Sequence, residues 1–248
     1  VPSMGNGYLA TVVGSKTVYI GGLFNGRNHN GLQLSPASHR ARVPAYLNLN
    51  ITRGEIDFVE EVPEGKFVHA GGFAIDVKQG VHYERFFVGD KNAKAQVEQR
   101  RYCHRQFSSL IVHEIHIDNT ISSNPVDLVL NLEANQGEDS VDIDFITVQN
   151  TEEFHIREGS INTPEVINSQ KVTVGVVVSN IPKTISILAN EKRSFSFFFT
   201  VRTDIPGDIT ADHTGDSIVR PWEAALHDFK EAKKLQENSQ EYFGISFS

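Results

Sequence analysis

A chain of 248 residues with 39% hydrophobic and 22% charged residues can bury a core without staples, as one large domain or two ordinary ones. Its formal charge of -8 argues against nonspecific nucleic-acid binding, which needs concentrated cations. The lone Cys103 excludes an internal disulfide and a cysteine metal cluster, and no apolar run reaches the roughly 18 residues of a membrane span.

Short apolar segments between glycine-containing turns predict strands along most of the chain. The first two, 8–13 and 17–22, flank Gly14-Ser15-Lys16. Segments 45–53 and 56–59 follow, and 67–78 and 81–88 flank the turn Gln79-Gly80. Strands are then predicted over 97–104, 108–118, 126–134, 141–150, 152–158, 172–178 and 193–203. With no regular alternation of strand and helix, the pattern predicts an all-β fold of two packed antiparallel sheets. Asp142 and Asp144 are read as outward positions of a strand with one solvated face. Arg100, Arg101 and Arg105 form the one local basic cluster, read as a solvated strand end. Residues 204–220 are polar and rich in Asp and Gly, as a surface loop should be. Pro221 then opens a helix over 221–241, where Trp222, Ala225, Leu226, Phe229 and Ala232 repeat at helical spacing. That face needs a sheet or a partner, with Trp222 and Phe229 as its anchors. Residues 242–248 regain strand-like composition.

The polar residues with the most to offer lie early. Asn6-Gly7 and Asn25-Gly26 are turn signals that also place an amide beside a cleft. His39 and Arg40 offer donors that orient hydroxyls, hold a carboxylate or bridge loops. His29 and His39 lack a partnered metal spacing, and His113 and His116, three apart in a strand, face opposite ways, so no metal site is predicted. Glycoside hydrolysis needs two placed carboxylates, or one with an activated nucleophile. Glu60-Glu61, Asp142/Asp144 and Glu152-Glu153 are more simply solvated positions, and Asp204, Asp208, Asp212 and Asp216 lack a calcium-loop pattern. No catalytic residue and no cofactor are assigned. The sequon Asn50-Ile51-Thr52 is the one usable glycosylation signal.

Asn6-Gly7-Tyr8-Leu9-Ala10-Thr11, Phe24-Asn25-Gly26, Ser38-His39-Arg40-Ala41 and Val43-Pro44 occur in that order. Together they resemble the N-terminal domain of glycoside hydrolase family 65, mainly over residues 1–55, with Ala10 where the family has glycine. The resemblance implies a galactose mutarotase-like supersandwich over 1–203 and a linker helix over 221–241. It places the catalytic carboxylates in a following (α/α)6 barrel, so this chain alone is expected to be inactive. The parent enzyme would remove α-linked glucose from the glucosylgalactosyl-hydroxylysine of collagen, with inversion. Asn6, Asn25, His39 and Arg40 then line the substrate entrance or a domain interface. The implied partners are the barrel, as chain or domain, a second copy in a homodimer, and a glycan. Low cysteine content and the resemblance imply a cytoplasmic protein, against secretion after processing. The competing reading is a repurposed carbohydrate-binding or self-assembling sandwich without enzyme activity.

Overall fold

Val, Ile, Phe and Thr, which favour the pleated backbone, dominate the strands of the computed structural model, whose described residues are 2–26, 38–52, 72–89, 94–132, 142–166, 168–208 and 220–242. Eight strands form the largest sheet: β8 (Gly72–Asp76), β9 (Val81–Gly89), β10 (Lys94–Cys103), β11 (Leu110–Asp118), β13 (Ile143–Asn150), β14 (Phe154–Ile161), β15 (Thr173–Ser179) and β17 (Lys192–Thr203). Their spatial order is β13-β14-β15-β17-β11-β10-β9-β8, antiparallel throughout. A four-stranded sheet joins β1 (Ser3–Gly5), β2 (Leu9–Val12), β3 (Thr17–Ile20) and β6 (Val43–Pro44). A three-stranded sheet is ordered β16 (Thr184–Ile187), β12 (Val126–Leu132), β7 (Leu49–Thr52), and β4 (Phe24–Asn25) pairs with β5 (His39–Arg40).

The main core lies between the large sheet and the smaller ones. Val97, Ile115, Ile117, Val176 and Phe199 of the large sheet join one buried cluster with Leu9, Ile20 and Val43, and with Leu49, Leu128 and Ile185. A second cluster covers the opposite face of the large sheet. Leu110, Val112, Ile156, Val177 and Phe198 pack there against Ala225, Phe229 and Ala232 of α1 (Pro221–Tyr242). Phe197, Phe198 and Phe199 alternate between the two clusters, so that run of β17 is buried on both faces. Full burial of each phenylalanine contributes about 2–3 kcal/mol.

The helix starts where local chemistry allows. Pro221 occupies a first-turn position whose missing N–H costs nothing, and the Glu223 carboxylate accepts the Arg220 backbone N–H at 2.9 Å. Small residues let it settle on the sheet. A Cβ added to Gly175 of β15 would lie 2.0 Å from the Trp222 nitrogen, so the helix rests directly on strand backbone. Of the two covers that the sequence left open for Trp222 and Phe229, the structure supplies this chain's own sheet: Phe229 is buried and Trp222 packs at its edge.

Several boundaries differ from the sequence reading. The segment predicted over 45–53 is a strand only from Leu49, because Asn48 turns back through its N–H to the Ala45 carbonyl at 3.0 Å. The strands β1 and β16 are short additions; β16 gains its place by pairing with β12. The predicted strand 56–59 and the first part of 67–78 fall outside the described residues. Arg101 is not a solvated strand end, since its guanidinium turns inward to the Leu49 carbonyl at 2.9 Å and to Gln99 at 3.0 Å. Asp142 is likewise not an outward strand position. It precedes β13, and its side chain is only 2% exposed.

Candidate functional site

The first motif is built around one amide. Asn6 Oδ1 accepts the N–H groups of Tyr8 and Leu9 at 3.1 and 2.9 Å, closing a turn that Gly7 completes at φ 92°. Asn6 Nδ2 donates to the carbonyls of His104 and Ser108 at 3.0 and 2.8 Å. A primary amide has two N–H donors and two acceptor sites, and all four are occupied. Asn6 therefore pins the N-terminal turn to the β10–β11 connection and has no capacity left for a ligand. Replacing Asn6 by alanine strands two carbonyls and two N–H groups, and is expected to lower stability by about 2 kcal/mol, read as a lower urea midpoint at unchanged slope.

Tyr8 continues this joint. Its hydroxyl donates to Asp208 Oδ2 at 2.5 Å, and burial together with the Asp208 charge pushes the phenol well above its ordinary range. Arg202 bonds both Asp208, at 3.2 Å, and Asp228 of α1, at 2.7 Å, while the Ser109 hydroxyl donates to Asp228 at 2.5 Å. One guanidinium thus ties the N-terminal motif to the helix.

The second and third motifs converge on Asp142. The paired strands β4 and β5 set Asn25 beside His39. Asn25 Nδ2 donates to Asp142 at 3.3 Å and His39 Nε2 lies 2.9 Å from the same oxygen. Arg42 completes the set, with its backbone N–H at 3.0 Å, Nε at 2.7 Å and Nη2 at 3.0 Å. Burial by itself would raise the Asp142 carboxyl, but the bonds from Arg42 and His39 outweigh it and bring the pKa down to about 2. Gly26 is required next to this site: its N–H donates to the Thr163 carbonyl at 2.7 Å, and a Cβ would lie 2.1 Å from the Pro164 oxygen.

This arrangement holds segments in place and presents cations. Asp142 is ionised, doubly held by Arg42 and nearly inaccessible, so it has no proton to give and no free lone pair aimed at a substrate. His39 and Arg42 lie over it with side chains 41% and 44% exposed. Arg40 is exposed beside them and has no side-chain partner among the described residues. The sequence named His39, Arg40 and Asn25 but missed Arg42 and Asp142. The exposed–buried–exposed order of Arg40, Ala41 and Arg42 is the alternation that marks Arg42 as a second outward donor.

The remaining acidic candidates divide. Asp204 accepts the Thr173 N–H at 2.8 Å, Glu153 pairs with Lys233, and Asp144 is exposed. Glu60, Glu61, Asp212, Asp216 and His29 lie outside the described residues. His113 is buried against Gln99 at 2.8 Å while His116 faces outward to Ser194 at 2.7 Å, on opposite faces. Among the described residues no three His, Cys, Asp or Glu side chains gather as metal ligands.

No family model matches the sequence. Over 208 residues the chain is 27% identical to a protein-glucosylgalactosylhydroxylysine glucosidase of Dictyostelium discoideum, a match covering 82% of this chain and 27% of that protein. In fold it superposes on a putative kojibiose phosphorylase from the human microbiome with a TM-score of 0.60 at 14% identity, covering 98% of this chain and 35% of the other. The chain is thus similar in sequence to a glucosidase and in fold to a phosphorylase. It spans about a quarter to a third of the length of these relatives. In this glycosidase- and phosphorylase-like domain, the ordered motifs are the points where the N-terminal strands are tied to the large sheet and to α1.

Proposed function

We propose that this chain is the noncatalytic β-domain of a larger glycoside hydrolase, and that its His39, Arg40 and Arg42 surface contacts the catalytic part. The observation that carries the reading is the state of the acidic residues at the motifs. Asp142 and Asp208 are both held by arginines, so neither supplies the free general acid or base that glycosidic cleavage needs. In this reading residues 1–203 form a two-layer supersandwich, the eight-stranded sheet facing the smaller sheets. Residues 221–241 are its linker helix. The partner is an (α/α)6 barrel, the whole assembles as a homodimer in the cytoplasm, and the bond cleaved is the α-glucosyl linkage of glucosylgalactosyl-hydroxylysine. The names of the relatives support sugar chemistry of this kind.

The test is glucose release from glucosylgalactosyl-hydroxylysine by the 248-residue chain alone and by the same chain combined with a helical catalytic part of a longer relative. We expect no turnover above the protein-free rate from the chain alone, and at least about a tenfold rise on combination. Arg40→Glu is expected to weaken that association by roughly tenfold, because it reverses an exposed charge without touching the Asp142 bonds. Turnover by the chain alone would overturn the assignment.

A further inference from the structure

A cleft of about 320 Å3 lies between the second half of α1 and the neighbouring ends of β14, β15 and β17. That volume is at the lower end of the roughly 300–1,000 Å3 common for small-molecule sites. Phe198 and Phe229, buried core residues with ring centres 5.8 Å apart, edge to face, close its base, and the rest of its lining is mostly polar. Lys233 reaches across one side to Glu153. None of the Asp142 centre's residues lines the cleft, whose residues come from the β13–β14 turn, the end of β15, and from β17 and α1.

Its polar groups are unevenly satisfied. Ser179 is more than nine-tenths buried, and its Oγ accepts the Phe198 N–H at 2.9 Å. The Ser179 O–H itself donates to nothing among the described residues. Asn180 uses one Nδ2 hydrogen on the Thr151 carbonyl at 2.6 Å and its Oδ1 on His155 at 3.0 Å, which leaves its second N–H free. Glu152 has no side-chain partner among the described residues, and Glu237 reaches only Lys233, at 3.8 Å. The unused capacity is therefore two buried or half-buried donors and the carboxylates of Glu152 and Glu237, all lining one cleft.

This combination discriminates between ligand classes. An anion meets three carboxylates, Glu152, Glu153 and Glu237, against the single ammonium of Lys233. An alkylammonium satisfies the carboxylates but leaves the Ser179 and Asn180 donors idle. A hydroxyl both donates and accepts, so a ring carrying several of them engages the idle donors and the carboxylates together. We propose that this cleft binds one neutral sugar ring as a noncatalytic site. The site serves the chain whether or not a catalytic part accompanies it, so it stands apart from the hydrolase reading.

Titration of the 248-residue chain with methyl α-glucopyranoside, propylammonium and acetate, followed by backbone amide shifts, tests it. Saturable shifts at Ser179, Asn180 and Gln236 are expected with the glycoside and not with the two ions. Ser179→Ala is expected to weaken binding about tenfold. Because that serine also supports β17, the second variant is Glu237→Trp, an exposed rim position where the indole fills the cleft while thermal unfolding stays unchanged. Absence of saturation by the glycoside, saturation by propylammonium or acetate, or binding unaffected by both variants overturns the proposal. None of these outcomes depends on glucose release, so its failure is distinguishable from failure of the enzyme assignment.

Discussion

Gly175→Ala is expected to lower the melting temperature by about 9 °C. The new Cβ would lie 2.0 Å from the Trp222 nitrogen and 2.4 Å from the carbonyl carbon of Pro221. Both are backbone atoms at the start of α1, so no side chain can rotate away. The helix must lift, and the contacts of Phe229 with Phe154 and Phe198 loosen with it. Overpacking of this kind costs about 3 kcal/mol, and a domain of this length loses roughly 2–4 °C per kcal/mol. Phe229→Ala acts on the same docking and is expected to cost about 3 kcal/mol alone. The double variant should lose clearly less than the sum, because a helix already lifted has less packing to forfeit. Calorimetric scans of the four proteins decide the matter; a Gly175→Ala melting point within about 2 °C of the parent sinks the account of helix seating.

Asp142→Asn is expected to cost about 2 kcal/mol at neutral pH and almost nothing at pH 2. Removing one partner of a buried ion pair costs roughly 3–5 kcal/mol, but the figure is reduced here because Arg42 and His39 are partly exposed and regain water. The pH dependence follows from the depressed carboxyl. An unfolded aspartate titrates at roughly 3.9, whereas Asp142 in the folded chain titrates at about 2. Between those values the unfolded state binds the proton and the folded state does not, so stability present above about pH 4 is lost as the pH falls to 2. Other groups add to acid lability and are untouched by the substitution. Burial lowers His113 and His82, which favours unfolding as the pH drops below about 6.5. Glu98 and Glu114 are also lowered, their cationic and hydrogen-bonding partners outweighing burial. The discriminating quantity is the difference in melting temperature between parent and variant: it should be about 6 °C at pH 7 and close at pH 2. A constant difference across that range would show that Asp142 acts by shape and not by charge.

The strands and the helix were readable because their apolar periods are strong. Residues 110–118 and 193–203 alternate or run apolar for the length of a strand, and the helical spacing of Trp222, Leu226 and Phe229 survives among charged neighbours. Asp142 was unreadable for a physical reason. Just before β13 it looks like any polar residue next to a buried isoleucine, and its burial is made tolerable by Arg42, a hundred positions earlier. Arg202 and Asp228 posed the same problem, since each charge is explained only by the other. Asn25 and His39 could be singled out from their glycine and arginine neighbours, but the acid on which they converge could not. Sequence pattern reports what one segment needs buried; it does not report which distant segment supplies the counter-charge.

The bond between Tyr8 and Asp208 spans 200 positions of the chain, and that between Asn6 and Ser108 spans 102. During synthesis the first strands therefore emerge long before their anchors exist. The β8–β11 meander can pair as it appears, whereas the N-terminal turn gains its last partner only after residue 208 has been made. The opening motif therefore reaches its full set of bonds only when the chain is made as far as residue 208, so its locking is set by the far end of the domain.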